Sequence, residues 1–237
     1  MQFVRLGFSC NNACAFCAQG NLRSTEPPTS DAEIRSRLAA ASGEIVAFVG
    51  GEPTLYDALF DWIREAKATG ARSVLVQTNG RRLAYASYAK ALAEAGTDLL
   101  DISLHGSSAA MHDYHTSVPG SFEQTLTGML RARDAGMNIG VSIVITRSNF
   151  RHLVEMTRLV HSRGATAVHF TLAAPHGKAS SARSRIIPPA ELVQPHLLAA
   201  LRLARTLGLE TLAHKHASSK AVRERFAGLG EITPPAT

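Results

Sequence analysis

Cys10, Cys14 and Cys17 are the only cysteines in a chain of 237 residues, and they fall inside one short stretch. Three thiols cannot all pair, and the segment is too short for a disulfide framework, so the pattern points to ligation of a metal or cluster. The spacing, three residues and then two between cysteines, lets a single loop wrap three corners of a cubane. A structural zinc ion needs a fourth donor, usually cysteine or histidine. A four-iron cluster held by three cysteines instead leaves one iron open to a substrate or cofactor. Both chemistries stay open on the residues alone.

Other segments carry polar chemistry. Gly50-Gly51-Glu52-Pro53 by itself reads as a turn. Between His105 and Phe122 a polar segment could cover a bound substrate. Within it His112 and His115 stand three apart, a spacing that could place two metal ligands or proton carriers on one helical face; the expectation is a polar loop surface. Further on, Pro175, His176, Gly177 and Lys178 are followed by Ser180, Ser181, Arg183, Ser184 and Arg185. With Lys215, Lys220, Arg223 and Arg225 they account for much of a marked asymmetry: residues 1–130 hold 10 basic and 13 acidic side chains, and residues 131–237 hold 15 and 6. The second half is the one suited to an anion: an acidic peptide, a nucleotide, a phosphorylated metabolite or RNA. Only Phe150, Phe170 and Phe226 supply aromatic rings there, so nucleic acid is the least expected partner among these.

The elements that must position these residues follow from periodicity. Short β-branched or apolar runs alternate with amphipathic stretches about every 30 residues, the rhythm of a parallel sheet with crossover helices. Strands are expected at 2–8, 44–49, 73–78, 99–104, 139–146 and 167–172, and helices at 30–41, 55–69, 83–95, 121–135, 150–163 and 189–207. Ser30 and Asn149 suit N-caps, and Gly70, Gly96, Gly136 and Gly164 each follow a helix where a left-handed residue is wanted. Residues 210–213 could add a seventh strand and 218–226 a last helix. Six βα units in succession favour an α/β fold, a partial TIM-like (β/α)6 barrel, as one core domain over 1–207 with a C-terminal extension, partly flexible, over 208–237.

Strand parity sharpens this. Asp101, Ser103 and His105 share one face and Leu100, Ile102 and Leu104 the other; the same alternation groups Gln77 with Asn79, Ser142 with Thr146, and His169 with Thr171. A closed barrel usually fills its interior with branched apolar side chains, so a polar interior argues for a lumen that holds a polar ligand. The chain is 45% hydrophobic and 19% charged with mean hydropathy of zero. It has no apolar run of membrane-spanning length, and its first residues lack the layout of a signal peptide. A cytoplasmic protein with no membrane association is expected.

The three-cysteine loop, with Phe16 just before its last cysteine, resembles the signature of the radical S-adenosylmethionine (SAM) superfamily. Gly50-Gly51-Glu52-Pro53 after the second strand is similar to that superfamily's Gly-Gly-Glu motif. Gln77-Thr78-Asn79-Gly80 and Ile102-Ser103-Leu104-His105-Gly106 resemble further landmarks, and the resemblance runs from residue 1 to about 180. It implies that Cys10, Cys14 and Cys17 ligate a [4Fe-4S] cluster whose fourth iron takes the amino and carboxylate groups of SAM. It implies that Gly50, Gly51 and Glu52, with Pro53 completing the motif, meet the methionine amino group, and that Phe16 lies near the adenine. Ser103 and His105 would reach the ribose hydroxyls, and Thr78 and Asn79 the cofactor or substrate.

The implied reaction is reductive cleavage of SAM to methionine and a 5′-deoxyadenosyl radical that abstracts hydrogen from a polar or anionic peptide or small molecule. The electron would come from an external donor such as flavodoxin or ferredoxin. No further cysteines exist for an auxiliary cluster, in which the chain departs from relatives with a cysteine-rich C-terminal extension. A glycyl-radical enzyme activase is the alternative within the family. From another class, a non-catalytic zinc or nucleic-acid-binding module would use three cysteines and a histidine, but leaves the glycine motif and the polar strand faces unexplained.

Overall fold

The computed structural model describes residues 1–211. In chain order the elements are β1 (Gln2–Arg5), α1 (Leu22–Thr25), α2 (Asp31–Ala39), β2 (Ile45–Val49), α3 (Leu59–Ala68), β3 (Ser73–Thr78), α4 (Ala86–Glu94), β4 (Leu99–Ser103), α5 (Ala109–Thr116), α6 (Ser121–Asp134), β5 (Asn138–Ile145), α7 (Leu153–Ser162), β6 (Ala167–Leu172), α8 (Lys178–Ser181), α9 (Arg183–Ile186), α10 (Ala190–Thr206) and β7 (Glu210–Thr211). The seven strands pair in parallel in sequence order, β1 through β7, as an open sheet. The architecture is thus the α/β partial barrel expected from the βα rhythm, with a two-residue seventh strand. The proposed helix at 218–226, the end of the proposed strand at 210–213, and Lys215, Lys220, Arg223 and Arg225 lie outside the described residues.

Local signals account for the helix ends. The Ser30 hydroxyl accepts from Glu33 N at the start of α2, and Gly70, Gly96, Gly136 and Gly164 all have positive φ after their helices. Asn149 stands at the N-cap position of the 3-10 turn at Phe150–His152, but its side chain makes no cap bond. Its Oδ1 accepts from Thr146 N at 2.7 Å and its Nδ2 donates to Val144 O and His105 O, so it shapes the turn after β5 instead. Three helices also begin later than the periodicity predicts, because short 3-10 turns at Pro53–Leu55, Arg82–Ala84 and Phe150–His152 precede α3, α4 and α7. Such a turn keeps apolar side chains three apart on one side, which the sequence pattern cannot separate from a helix.

Parity is realised as expected. Leu100, Ile102 and Leu104 are buried against the helices with Val141, Ile143 and Ile145. Asp101, Ser103, Ser142 and His169 are half-buried on the opposite face. Their register sets Ser103 beside Ser142 and Ser142 beside His169, a continuous polar row inside the barrel. No helix among the described residues is long and apolar enough to cross a membrane.

Candidate functional site

The C-terminal ends of β1 and β2 run so close together that only glycine fits between them. Gly51 N donates to Gly7 O at 2.9 Å and Glu52 N to Ser9 O at 2.7 Å. A Cβ on Gly51 would lie 2.2 Å from Ser9 O, and one on Gly50 2.3 Å from Gly7 O. The glycine pair is therefore what brings the loop after β2 alongside the cysteine loop. Gly50 O accepts from Gln19 Nε2, a residue just beyond Cys17.

Glu52 anchors this junction. Its carboxylate is fully buried, and Oε1 accepts from Thr54 N at 3.0 Å, Thr54 Oγ1 at 2.7 Å and Thr78 Oγ1 at 2.7 Å, while Oε2 accepts from Asn79 N at 2.6 Å. Burial pushes the carboxyl upward in pKa, and the four donors oppose that shift. Both oxygens are thus committed to the protein, tying the end of β2 to the end of β3. Pro53, also buried, opens the adjoining 3-10 turn.

The stretch between Cys10 and Cys14 is held by the loop after β3. Asn79 Nδ2 donates to Asn11 Oδ1 at 2.6 Å, and Arg81 Nη1 donates to Asn11 O at 2.6 Å and Asn12 Oδ1 at 2.9 Å. Gln124 Oε1 accepts from Arg81 Nε at 2.6 Å, which fixes the guanidinium from behind. Ala13 N and Ala15 N donate to Thr116 O and His115 O at the end of α5, and Lys178 N donates to Cys17 O at 3.0 Å. Three separate parts of the chain therefore grip the one loop.

The thiols are half-buried. Burial, then the neighbouring Cys10 and Cys17, push the Cys14 thiol up to about 12; burial also raises Cys10, opposed by the Asn12 N–H directed at its sulfur. A thiol raised in this way favours a cationic centre that takes the place of its proton. One zinc ion would need its sulfurs about 4 Å apart around a single point. Among the described residues no three histidine, cysteine or acidic side chains converge so. By its chemistry, three thiols on one short loop, the donor set suits a four-iron cluster with one iron left open.

Phe16 closes the side facing the barrel, edge-on to His105 with ring centroids 4.7 Å apart. His105 is buried, and its Nδ1 accepts from Val144 N at 3.3 Å, which leaves the proton of the neutral ring on Nε2. Burial above all, then the neighbouring His112 and His115, hold its pKa well below the usual range, so the ring is a neutral donor. Ser103 lies one step deeper on the same strand face.

The expectation of a surface loop for His112 and His115 is overturned: both sit on α5 and are 1% and 0% exposed. Their burial is supported by hydrogen bonds, with His112 Nδ1 accepting from His105 N and His115 bonded at both nitrogens. Lys178, Arg183 and Arg185 are exposed on the segment after β6. Ser180, Ser181, Arg183 and Ser184 line a shallow cavity there with Ile187, Pro188 and Pro189. Ala179 and Ile186 of the same segment pack toward Phe16 and Ala15, which draws it over the cysteine loop. Sequence reasoning missed Asn11, Arg81 and Gln19, and gave Asn149 only as a helix cap. For Arg81 the one available signal was its place directly after the Gln77–Gly80 motif.

The family model described as Radical SAM superfamily matches residues 4–160. The AdoMet-dependent heme synthase of Oleidesulfovibrio alaskensis is 32% identical over 187 residues, covering 77% of this chain and 48% of that protein. A probable GTP 3′,8-cyclase of Metallosphaera sedula is 31% identical over 171 residues, covering 70% and 53%. The chain spans about half the length of the curated relatives it matches. In structure it is similar to Streptococcus suis SuiB bound to precursor peptide SuiA, with a TM-score of 0.70 at 15% identity over 88% of this chain and 48% of that one.

Proposed function

Since the chain belongs to the radical SAM superfamily, whose cofactors are a [4Fe-4S] cluster and SAM, we propose that it is an enzyme that starts radical chemistry on a polar or anionic substrate. The observation that carries this reading is the pairing of two loops: three half-buried thiols on one, and on the other the Gly50–Gly51 backbone locked to it through Gly7 and Ser9. Bound together, the cluster and SAM supply reductive cleavage of the sulfonium, which gives methionine and a 5′-deoxyadenosyl radical able to take a hydrogen atom from the substrate. The electron comes from an external donor of the flavodoxin or ferredoxin type.

In this reading Cys10, Cys14 and Cys17 hold three irons, and the carbonyls of Gly50 and Gly51 accept from the methionine ammonium. Gly50 O already accepts from the Gln19 amide and keeps a second lone pair for an ammonium. The Glu52 carboxylate acts through position: its oxygens hold Thr54, Thr78 and Asn79, and thereby the two loops. Phe16 offers a ring face for the adenine, while His105, neutral with its proton on Nε2, and Ser103 donate to ribose hydroxyls. Asn79 steadies the cysteine loop through Asn11. The core over 1–207 carries this machinery, with 208–237 as an extension.

For the substrate, peptide and small molecule both suit the polar barrel row and the basic rim at Lys178, Arg183 and Arg185. SuiB, similar in fold, was crystallised with a peptide, and the heme synthase and GTP cyclase relatives are named for small molecules. The test is anaerobic reconstitution with iron and sulfide. The wild type should bind about four irons and four sulfides. Cys14→Ala should lose the cluster while its circular dichroism is unchanged. A chain that takes up one zinc and no iron under these conditions would overturn the reading.

A further inference from the structure

We infer that His115 is a positioning residue for the three-cysteine loop, acting through the last turn of α5; the inference rests on the cluster reading above. An α-helix leaves its last carbonyls without partners inside the helix. In α5 the chain leaves through Ser117 in the left-handed conformation, φ 57° and ψ 33°. The carbonyls of His115 and Thr116 are then taken by the cysteine loop, at 3.0 Å from Ala15 N and 2.8 Å from Ala13 N. The end of α5 thus clamps the backbone on both sides of Cys14, and the direction of those two carbonyls sets where the loop lies.

What fixes that turn is the His115 ring, which is fully buried. Nδ1 lies 2.7 Å from Met111 O, a group that only accepts, so Nδ1 carries the proton. Nε2 of the neutral ring is then the acceptor, its one lone pair shared between the hydroxyls of Thr146 at 2.7 Å and Ser148 at 2.8 Å, which also lie 3.1 Å from each other. Both hydroxyls belong to the turn after β5, whose shape is held in turn by Asn149 through Thr146 N, Val144 O and His105 O. Phe16 rests against the same imidazole, centroids 5.9 Å apart. The path is continuous: sheet end, imidazole, helix end, and the two amides flanking Cys14. The buried residues of helix α5 are His112, His115 and Thr116, so polar tethers register it on the barrel: the His115 ring at its last turn, and His112, which accepts from His105 N, one turn earlier.

The experiment compares the full chain as wild type, His115→Leu, His115→Gln and Thr146→Val. In the metal-free chain, NMR hydrogen exchange at the Ala13 and Ala15 amides should be about tenfold faster in His115→Leu while α3 amides are unchanged. His115→Gln, whose carboxamide oxygen can accept from Thr146 and Ser148, should recover most of the protection. In the reconstituted chain the reduction potential and EPR spectrum of the cluster should shift in His115→Leu and return toward wild type in His115→Gln. A folded His115→Leu chain with unchanged exchange at Ala13 and Ala15 overturns the inference. Should that variant not fold, Thr146→Val, which removes one hydroxyl partner at nearly constant volume, decides it by the same exchange. A wild type that takes up no cluster overturns the reading of the previous subsection, and the exchange result still decides the role of His115.

Discussion

Replacing Glu52 by Gln keeps the shape of the side chain and removes only its charge and one acceptor oxygen. In the protein Oε1 accepts three hydrogen bonds and Oε2 a fourth, from Asn79 N, all in a fully buried setting. With the carboxamide oxygen in the place of Oε1, three charge-assisted bonds become neutral ones, each weaker by about 1 kcal/mol. The amide NH2 then faces the Asn79 N–H, and a buried donor left without its acceptor costs about 1–3 kcal/mol. The burial cost of the charge, which Gln does not carry, and non-additivity within one network offset part of this, so Glu52→Gln should lose about 2 kcal/mol of the roughly 5–15 kcal/mol that holds a domain folded. Urea unfolding of the metal-free chain, followed by far-UV circular dichroism, reads this as a lower midpoint with unchanged slope. Stability within about 0.5 kcal/mol of wild type would refute the reasoning. It would mean that the carboxyl is held protonated, the state its burial favours, with a threonine hydroxyl turned to accept.

Three further substitutions test separate parts of the site. Ser117 is the one described non-glycine residue with positive φ, so Ser117→Gly should raise stability by about 0.5–1 kcal/mol, seen as a higher Tm. Asp113 accepts from Gly120 N, Ser121 Oγ and Phe122 N at the start of α6. Partial burial opposes ionisation there, but those three bonds together hold the carboxyl below its ordinary value of 3.8. Its contribution is therefore complete above pH ~4 and fades as pH falls through the lowered folded value. The stability gap between wild type and Asp113→Asn should be clear at pH ~7 and shrink below pH ~3, checked by urea unfolding at both. Gly51→Ala drives a Cβ against the carbonyls of Ser9 and Phe8; it should cost about 3 kcal/mol and reduce iron uptake on reconstitution, checked by unfolding and metal analysis.

The parts of this protein that sequence made legible are those where chemistry or backbone sterics leave few choices of residue. Three cysteines on one loop and glycines at left-handed helix ends read directly, whereas the Gly50–Gly51 pair reads by itself as a turn and its contact with the end of β1 belongs to the fold. The strands at Ser73–Thr78 and Ala167–Leu172 match their periodicity residue for residue. Helix α5 was hidden because its inward face is polar. His112, His115 and Thr116 are buried by hydrogen bonding, which leaves no hydropathy period to detect. Arg81 and Asn79 were opaque as supports of the cysteine loop for a different reason: their partners Asn11 and Asn12 lie some 70 positions away, and only the parallel sheet brings them together. Glu52 was legible as a motif residue, yet its commitment to Thr54, Thr78 and Asn79 is a property of the folded junction.

The most direct test of the proposed chemistry is the formation of 5′-deoxyadenosine. Anaerobically reconstituted protein is mixed with dithionite and SAM, and the products are assayed by mass spectrometry. The expected result is 5′-deoxyadenosine and methionine from the wild type and none from Cys10→Ala, Cys14→Ala or Cys17→Ala. A chain loaded with four irons that forms no deoxyadenosine, or a cysteine variant that forms it as well as the wild type, would contradict the assignment.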